Sequence, residues 1–213
     1  MKTDDLITGL ALDLAPTRRG QLELRLLGFM LPAAAMVMVG ILAGMGLRSD
    51  LAAAVTGPTF WLKAAYTLAL GATGFWMLDR LGRPGRSARG PIVLLGLIVG
   101  VAMVWAGIEL ARAAPADRMG LMMGISALVC PVYILALFAL SAPFIFFAAR
   151  RFAPVRPRAA GAAAGLVSAG LATTLYGLHC PEYAAAFVAL WYSLGIALSV
   201  GAGALIGKVA FRW

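Results

Sequence analysis

Residues 91–111 read PIVLLGLIVGVAMVWAGIELA, an apolar run whose sole charge is Glu109. About 20 such residues are what a helix needs to cross a bilayer. Five more runs of the same kind flank it, at 26–47, 60–78, 120–149, 159–178 and 185–207. In lipid each backbone amide has to bond within its own segment, so each run is read as a helix. The expected fold is all-α, a polytopic bundle of about six transmembrane helices.

Composition agrees. Of 213 residues, 62% are apolar and 13% charged, against about 45–50% and about 25% in soluble domains. The spans use most of the chain, which divides it into a segment 1–25 and a membrane domain 26–213. The first 25 residues carry Asp4, Asp5, Asp13 and Glu23, unlike a secretory signal, and the run after them is long enough to stay in the membrane.

A net charge of +9 invites a nucleic-acid reading, but the distribution opposes it. Fourteen of the eighteen Lys and Arg residues fall before the first run, in the second and fourth loops, and at the C-terminal end. Arg48, Lys63, Arg112 and Arg118 fall on the other side. Short basic loops mark the cytoplasmic face, so both termini are expected inside, in a multi-pass protein of a bacterial inner membrane. Phe60, Trp61, Trp76, Trp191, Tyr192 and Trp213 lie where rings favour headgroup depth, with simple packing as the alternative. Gly161 and Gly165, with Gly201, Gly203 and Gly207, suit close helix approach.

Segment 1–25 opens as a helix would. Thr3 can cap, and Asp4 and Asp5 suit the positive end of the helix dipole. Leu6, Ile7, Leu10 and Leu14 share one arc, and Pro16 sets the stop. This pattern fits a helix lying on the inner leaflet or one docking a cytoplasmic protein.

Both cysteines precede a proline, as Cys130-Pro131 and Cys180-Pro181. Counting back from Arg150 puts Cys130 near the periplasmic face, where the 5–6 loop also holds Cys180. The run at 120–149 exceeds one span, so residues 119–129 are expected to extend outward or tilt. Three readings of the thiols stay open: buried packing residues, a constitutive disulfide, or a reversible redox- or metal-responsive pair. The sole histidine, His179, adjoins Cys180, and Glu182 follows; Glu109 and Asp117 lie on the same side. Cys130, Cys180, His179 and Glu182 are donors a soft divalent ion accepts. Each proline removes a backbone donor and kinks or ends a helix, a movable element.

Enzyme chemistry finds little support. A haem bundle needs axial histidines inside helices, a thiol oxidase needs cysteines close in sequence, and a proton path needs ionisable groups inside the spans. No cofactor is expected.

The opening Met1-Lys2-Thr3-Asp4-Asp5-Leu6-Ile7, the Phe60-Trp61-Leu62-Lys63 start of the second run, and Cys130-Pro131 form one pattern with the stretch from Thr174 through His179-Cys180-Pro181-Glu182 to Trp191-Tyr192. Together they resemble the NrsF family, negative regulators of extracytoplasmic-function sigma factors, over essentially the whole chain. The resemblance implies a six-helix anti-sigma factor that holds a sigma factor at the inner membrane through cytoplasmic segments. It also implies that Cys130 and Cys180 take part in the response to a stress signal. The expectation is then a regulator of transcription that binds no nucleic acid itself. Thr3, Asp4, Asp5, Leu6, Ile7, Leu10 and Leu14 are its candidate docking residues. A small membrane transporter or efflux protein, or a membrane thiol-disulfide enzyme, are the competing readings.

Overall fold

A computed structural model describes residues 3, 9, 12, 21–83, 85–152 and 154–212. Thr3, Gly9 and Leu12 are helical and exposed. Asp4, Asp5, Leu6, Ile7, Leu10 and Leu14 lie outside the described residues, as does Trp213.

The described chain is all-α, with no strand. Six long helices are α1 (Gln21–Gly44), α3 (Pro58–Leu81), α4 (Arg89–Arg112), α6 (Cys130–Ala149), α7 (Pro157–Tyr176) and α8 (Ala185–Ala210). Two short ones are α2 (Leu51–Ala54) and α5 (Arg118–Met123). Prolines begin α3 and α7, where the missing N–H costs nothing. A π-turn, Val188–Tyr192, lies near the start of α8.

Among the described residues five helices, α1, α4, α6, α7 and α8, are long and apolar enough to cross a membrane. The sixth expected span, α3, has the length, but Lys63, Asp79 and Arg80 and several threonines dilute its apolar character. The chain is thus a multi-pass membrane protein by composition.

The run expected at 120–149 is two elements. Helix α5 stops at Gly124, whose φ of 50° suits a residue without a side chain, and α6 begins at Cys130. Pro131 therefore opens α6 and does not kink it; the proline inside that helix is Pro143. The expected kink at the first thiol is corrected accordingly.

The long helices alternate up and down. At one end, Arg150 Nε donates to the Ala210 carbonyl at 2.9 Å, Phe146 stacks on Phe211, and Arg25 lies over Phe147. The basic turns cluster there. The opposite end gathers the 45–50 and 177–184 turns.

Helix α7 is the hub, with thirteen of its residues buried. Its small residues admit neighbours at backbone distance. A methyl at Gly161 would strike the Gly203 carbonyl, and one at Gly165 would fall 2.9 Å from the Ser199 carbonyl. On its other face Gly170 meets Gly71, and Gly74 meets the backbone at Val167. The expected glycine seam thus holds for Gly161, Gly165, Gly203 and Gly207, whereas Gly201 faces open space. Tyr192 is fully buried and packs in the core, the packing alternative for that ring.

Gly161→Val should lower the thermal unfolding midpoint in detergent, costing about 1–3 kcal/mol or more through overpacking. Gly201→Val should leave the midpoint within error of the parent protein, by the same measurement.

Candidate functional site

Helix α7 ends at Tyr176, and the next residues use its last carbonyls. The Leu178 amide donates to the Leu175 carbonyl at 3.0 Å, and the His179 and Cys180 amides to that of Tyr176 at 2.9 and 3.0 Å. Pro181 has no amide to donate, so the chain leaves helical pairing until Ala185. The carbonyls of Leu178, Cys180 and Glu182 and the side chains of His179 and Glu182 find partners on other elements.

Three anchors hold the loop's carbonyls. The Arg48 amide donates to the Leu178 carbonyl at 3.1 Å, and Arg48 Nη1 to that of Cys180 at 3.3 Å. The Arg48 guanidinium is itself gripped by both Asp50 oxygens at 2.7 Å. That hydrogen bond raises the Arg48 pKa and lowers that of Asp50, so the pair stays ionised. Lys63, 6% exposed, donates to the carbonyls of Cys180 and Glu182, each at 3.0 Å, and lies 5.6 Å from the Tyr192 ring centre. Among the described residues it forms no ion pair with a carboxylate.

The side chains reach outward. His179 Nδ1 lies 2.8 Å from the Gly46 carbonyl. A carbonyl only accepts, so Nδ1 carries a proton in this hydrogen bond. Tyr133 and Tyr176 flank the ring at 6.1 and 5.7 Å. Glu182 Oε1 accepts from the Ile125 amide at 2.8 Å, the Ser126 amide at 3.1 Å and the Ser126 hydroxyl at 2.9 Å. Gly124 is needed there for a second reason, since a methyl group would collide with the Glu182 carboxylate. Nearby, Glu109 caps α8 by accepting from the Ala185 and Ala186 amides at 3.1 and 2.8 Å, the place where a negative charge suits a helix. Trp191 Nε1 closes the ring of contacts on the Met122 carbonyl at 2.8 Å.

Behind the loop sit the two thiols. Cys130 and Cys180 are free and fully buried. Tyr176 lies against both, and Tyr192 against Cys180. Their rings are 5.7 Å apart, and the Tyr192 hydroxyl has no hydrogen-bond partner among the described residues. The cysteines thus share one aromatic chamber, as free thiols rather than the constitutive disulfide of the second sequence reading. Of the four expected metal donors, Glu182 is committed to the 125–126 turn and His179 Nδ1 to Gly46. Among the described residues no three His, Cys, Asp or Glu side chains are grouped to hold an ion. Sequence reading did not single out Lys63, Arg48, Tyr176 or Tyr192 for this site. A lysine and tyrosines inside apolar runs were the available signal.

Glu182→Gln replaces a charged acceptor of three hydrogen bonds. It should destabilise the 124–126 turn by about 1.5–3 kcal/mol, seen as faster amide exchange at Ile125 and Ser126.

The family model described as "Negative regulator of sigma F" matches residues 10–213. The "Anti-sigma-F factor NrsF" of Caulobacter vibrioides is 42% identical over 221 residues, covering 100% of this chain and 98% of that protein. The "Probable anti-sigma-F factor NrsF" of Azospira oryzae is 35% identical over 217 residues, covering 100% of both. No solved structure matches. With matches spanning nearly its whole length, the chain belongs to the NrsF family of anti-sigma-F factors, regulators rather than enzymes.

Proposed function

We propose that this protein crosses the inner membrane six times with both termini in the cytoplasm and holds a sigma factor of the extracytoplasmic-function class there. Segment 1–25 supplies the docking helix through Thr3, Asp4, Asp5, Leu6, Ile7, Leu10 and Leu14. Metal or oxidant acting at Cys130 and Cys180, on the periplasmic side, releases the sigma factor. The names of the two relatives support the partner; the count of basic residues supports the orientation.

One observation carries the signalling part. Two free thiols lie behind the 178–182 loop, which is tied to the turn after α1, to α3 and to the turn before α6. Oxidation removes two protons and two electrons from the thiols to the oxidant and joins the sulfurs. A soft divalent cation instead displaces the two protons. Either event draws the start of α6 and the 178–182 loop into a new relation. The loop holds Arg48 and the Gly46 carbonyl just beyond α1, and α1 is a rod of 24 residues, about 36 Å long. Its far end continues into the docking segment. A shift at His179–Gly46 would pass along α1, which carries Pro32 in its interior, toward the cytoplasmic face.

The required energy is modest. A hundredfold loss of affinity needs about 2.7 kcal/mol of difference between the two states. A disulfide or metal–thiolate contact is of that size or larger.

Full-length protein tagged at its C-terminus and gently solubilised should co-purify with one sigma factor and lose it on treatment with a thiol-reactive metal. Deleting residues 1–20, which leaves α1 whole, should abolish capture while the thermal midpoint holds. Cys130→Ser and Cys180→Ser should each capture the sigma factor and fail to release it. Release from both variants at the parent level would make the thiols packing residues; recovery without any sigma factor would overturn the anti-sigma assignment.

A further inference from the structure

Helix α4 is the loosest member of the bundle. It buries Pro91 and Ala106, and its contacts fall on α3, the start of α8 and the adjoining π-turn. Two clefts run along it. The first, about 480 Å³, lies between α3, α4 and the start of α8. The second, about 350 Å³, lies over Gly96 and Gly100 of α4 itself. Leu97, Val101 and Trp105 line both. These residues are four apart, so they form one ridge along the helix with a cleft on either side.

We propose that this ridge and its two clefts are a binding site for one diacyl phospholipid of the bilayer, with one acyl chain in each cleft. Four features favour that occupant. The clefts lie on a helix long and apolar enough to cross the membrane, and their shared ridge is exposed. The first cleft runs from Leu97 to Glu109, about 18 Å at 1.5 Å per residue, the reach of an extended palmitoyl-length chain. A methyl at Gly96 or Gly100 would meet nothing within 4 Å, so the second cleft is open backbone surface fitted to a slender chain. Polar groups collect at one end of the first cleft, where Thr59, Tyr183 and Glu109 stand, and the opposite end is apolar. That is the polarity of a headgroup above its chains.

The polar end is rigid. Glu109 is fixed on the Ala185 and Ala186 amides, and Lys63 on the Cys180 and Glu182 carbonyls. The cleft is therefore preformed, which lowers the cost of binding. This site depends on the membrane placement but not on the thiol switch, and the two fail separately.

The test uses full-length protein in proteoliposomes of phosphatidylethanolamine and phosphatidylglycerol. The probe is a phosphatidylethanolamine bearing a photoactivatable diazirine in one acyl chain, with adducts mapped by mass spectrometry. Leu205 and Val209 of α8 are the reference, at 67% and 69% exposure. Adducts should concentrate several-fold on Leu97, Val101 and Trp105 over that reference. Ala102→Phe, which fills the first cleft, should bring adducts there down to the reference level while those at Leu205 stay unchanged. Adducts that simply follow exposure overturn the site. So does α4-to-α4 cross-linking of two copies through Gly96 and Gly100, which would assign the face to self-association.

Discussion

Backbone that leaves a helix in a packed bundle has to find other partners for its buried polar groups, and the 177–184 turn is where this chain meets that constraint. Pro181 prevents the helix from continuing, and the stretch then has to find donors and acceptors elsewhere. It finds them on Arg48, Lys63, Gly46 and the 125–126 turn. One proline-interrupted loop thus binds three otherwise separate parts of the chain: the 45–50 turn, α3 and the 125–126 turn. Lys63 is the clearest case: a buried ammonium is costly unless satisfied, and two carbonyls and the Tyr192 ring satisfy it. Remove the loop's partners, and both the thiol chamber and the end of the bundle lose their definition.

The bundle around it is uneven by design of composition. Helix α7 is built of small residues, so α3 and α8 press against its backbone, and dispersion across many close atoms replaces the hydrophobic drive that lipid does not supply. Helix α4 lacks such a face toward the bundle. Its Gly96 and Gly100 look outward. A tight core of α3, α7 and α8 beside a loosely held α4 follows directly from where the glycines fall.

In the proposed mechanism, signal and output occupy opposite ends of this frame. The thiols lie at the end with few basic residues, and the basic turns and the start of α1 lie at the other. Helix α1 connects them, anchored at one end by His179 on the Gly46 carbonyl. Family membership gives the bundle the task of a regulator, that of an anti-sigma-F factor.

Much of this was legible without coordinates, because lipid leaves few choices. Apolar runs must be helices, basic turns must cluster at one end, and the glycines of α7 must meet something close. The resemblance carried by His179-Cys180-Pro181-Glu182 also pointed to the family that full-length comparison establishes. Pattern could not place Gly124 as a helix stop, so 120–149 read as one run; that break depends on φ and on the Glu182 carboxylate beneath it. Nor could it divert His179 and Glu182 from a metal to Gly46 and Ser126, since those partners are 133 and 56 residues away. Sequence by itself determined the helices and their alternation, which depend on local hydrogen bonding and apolar length. Tertiary structure alone decided what each polar side chain in the loop is for, because a buried donor or acceptor is defined by the distant group that satisfies it.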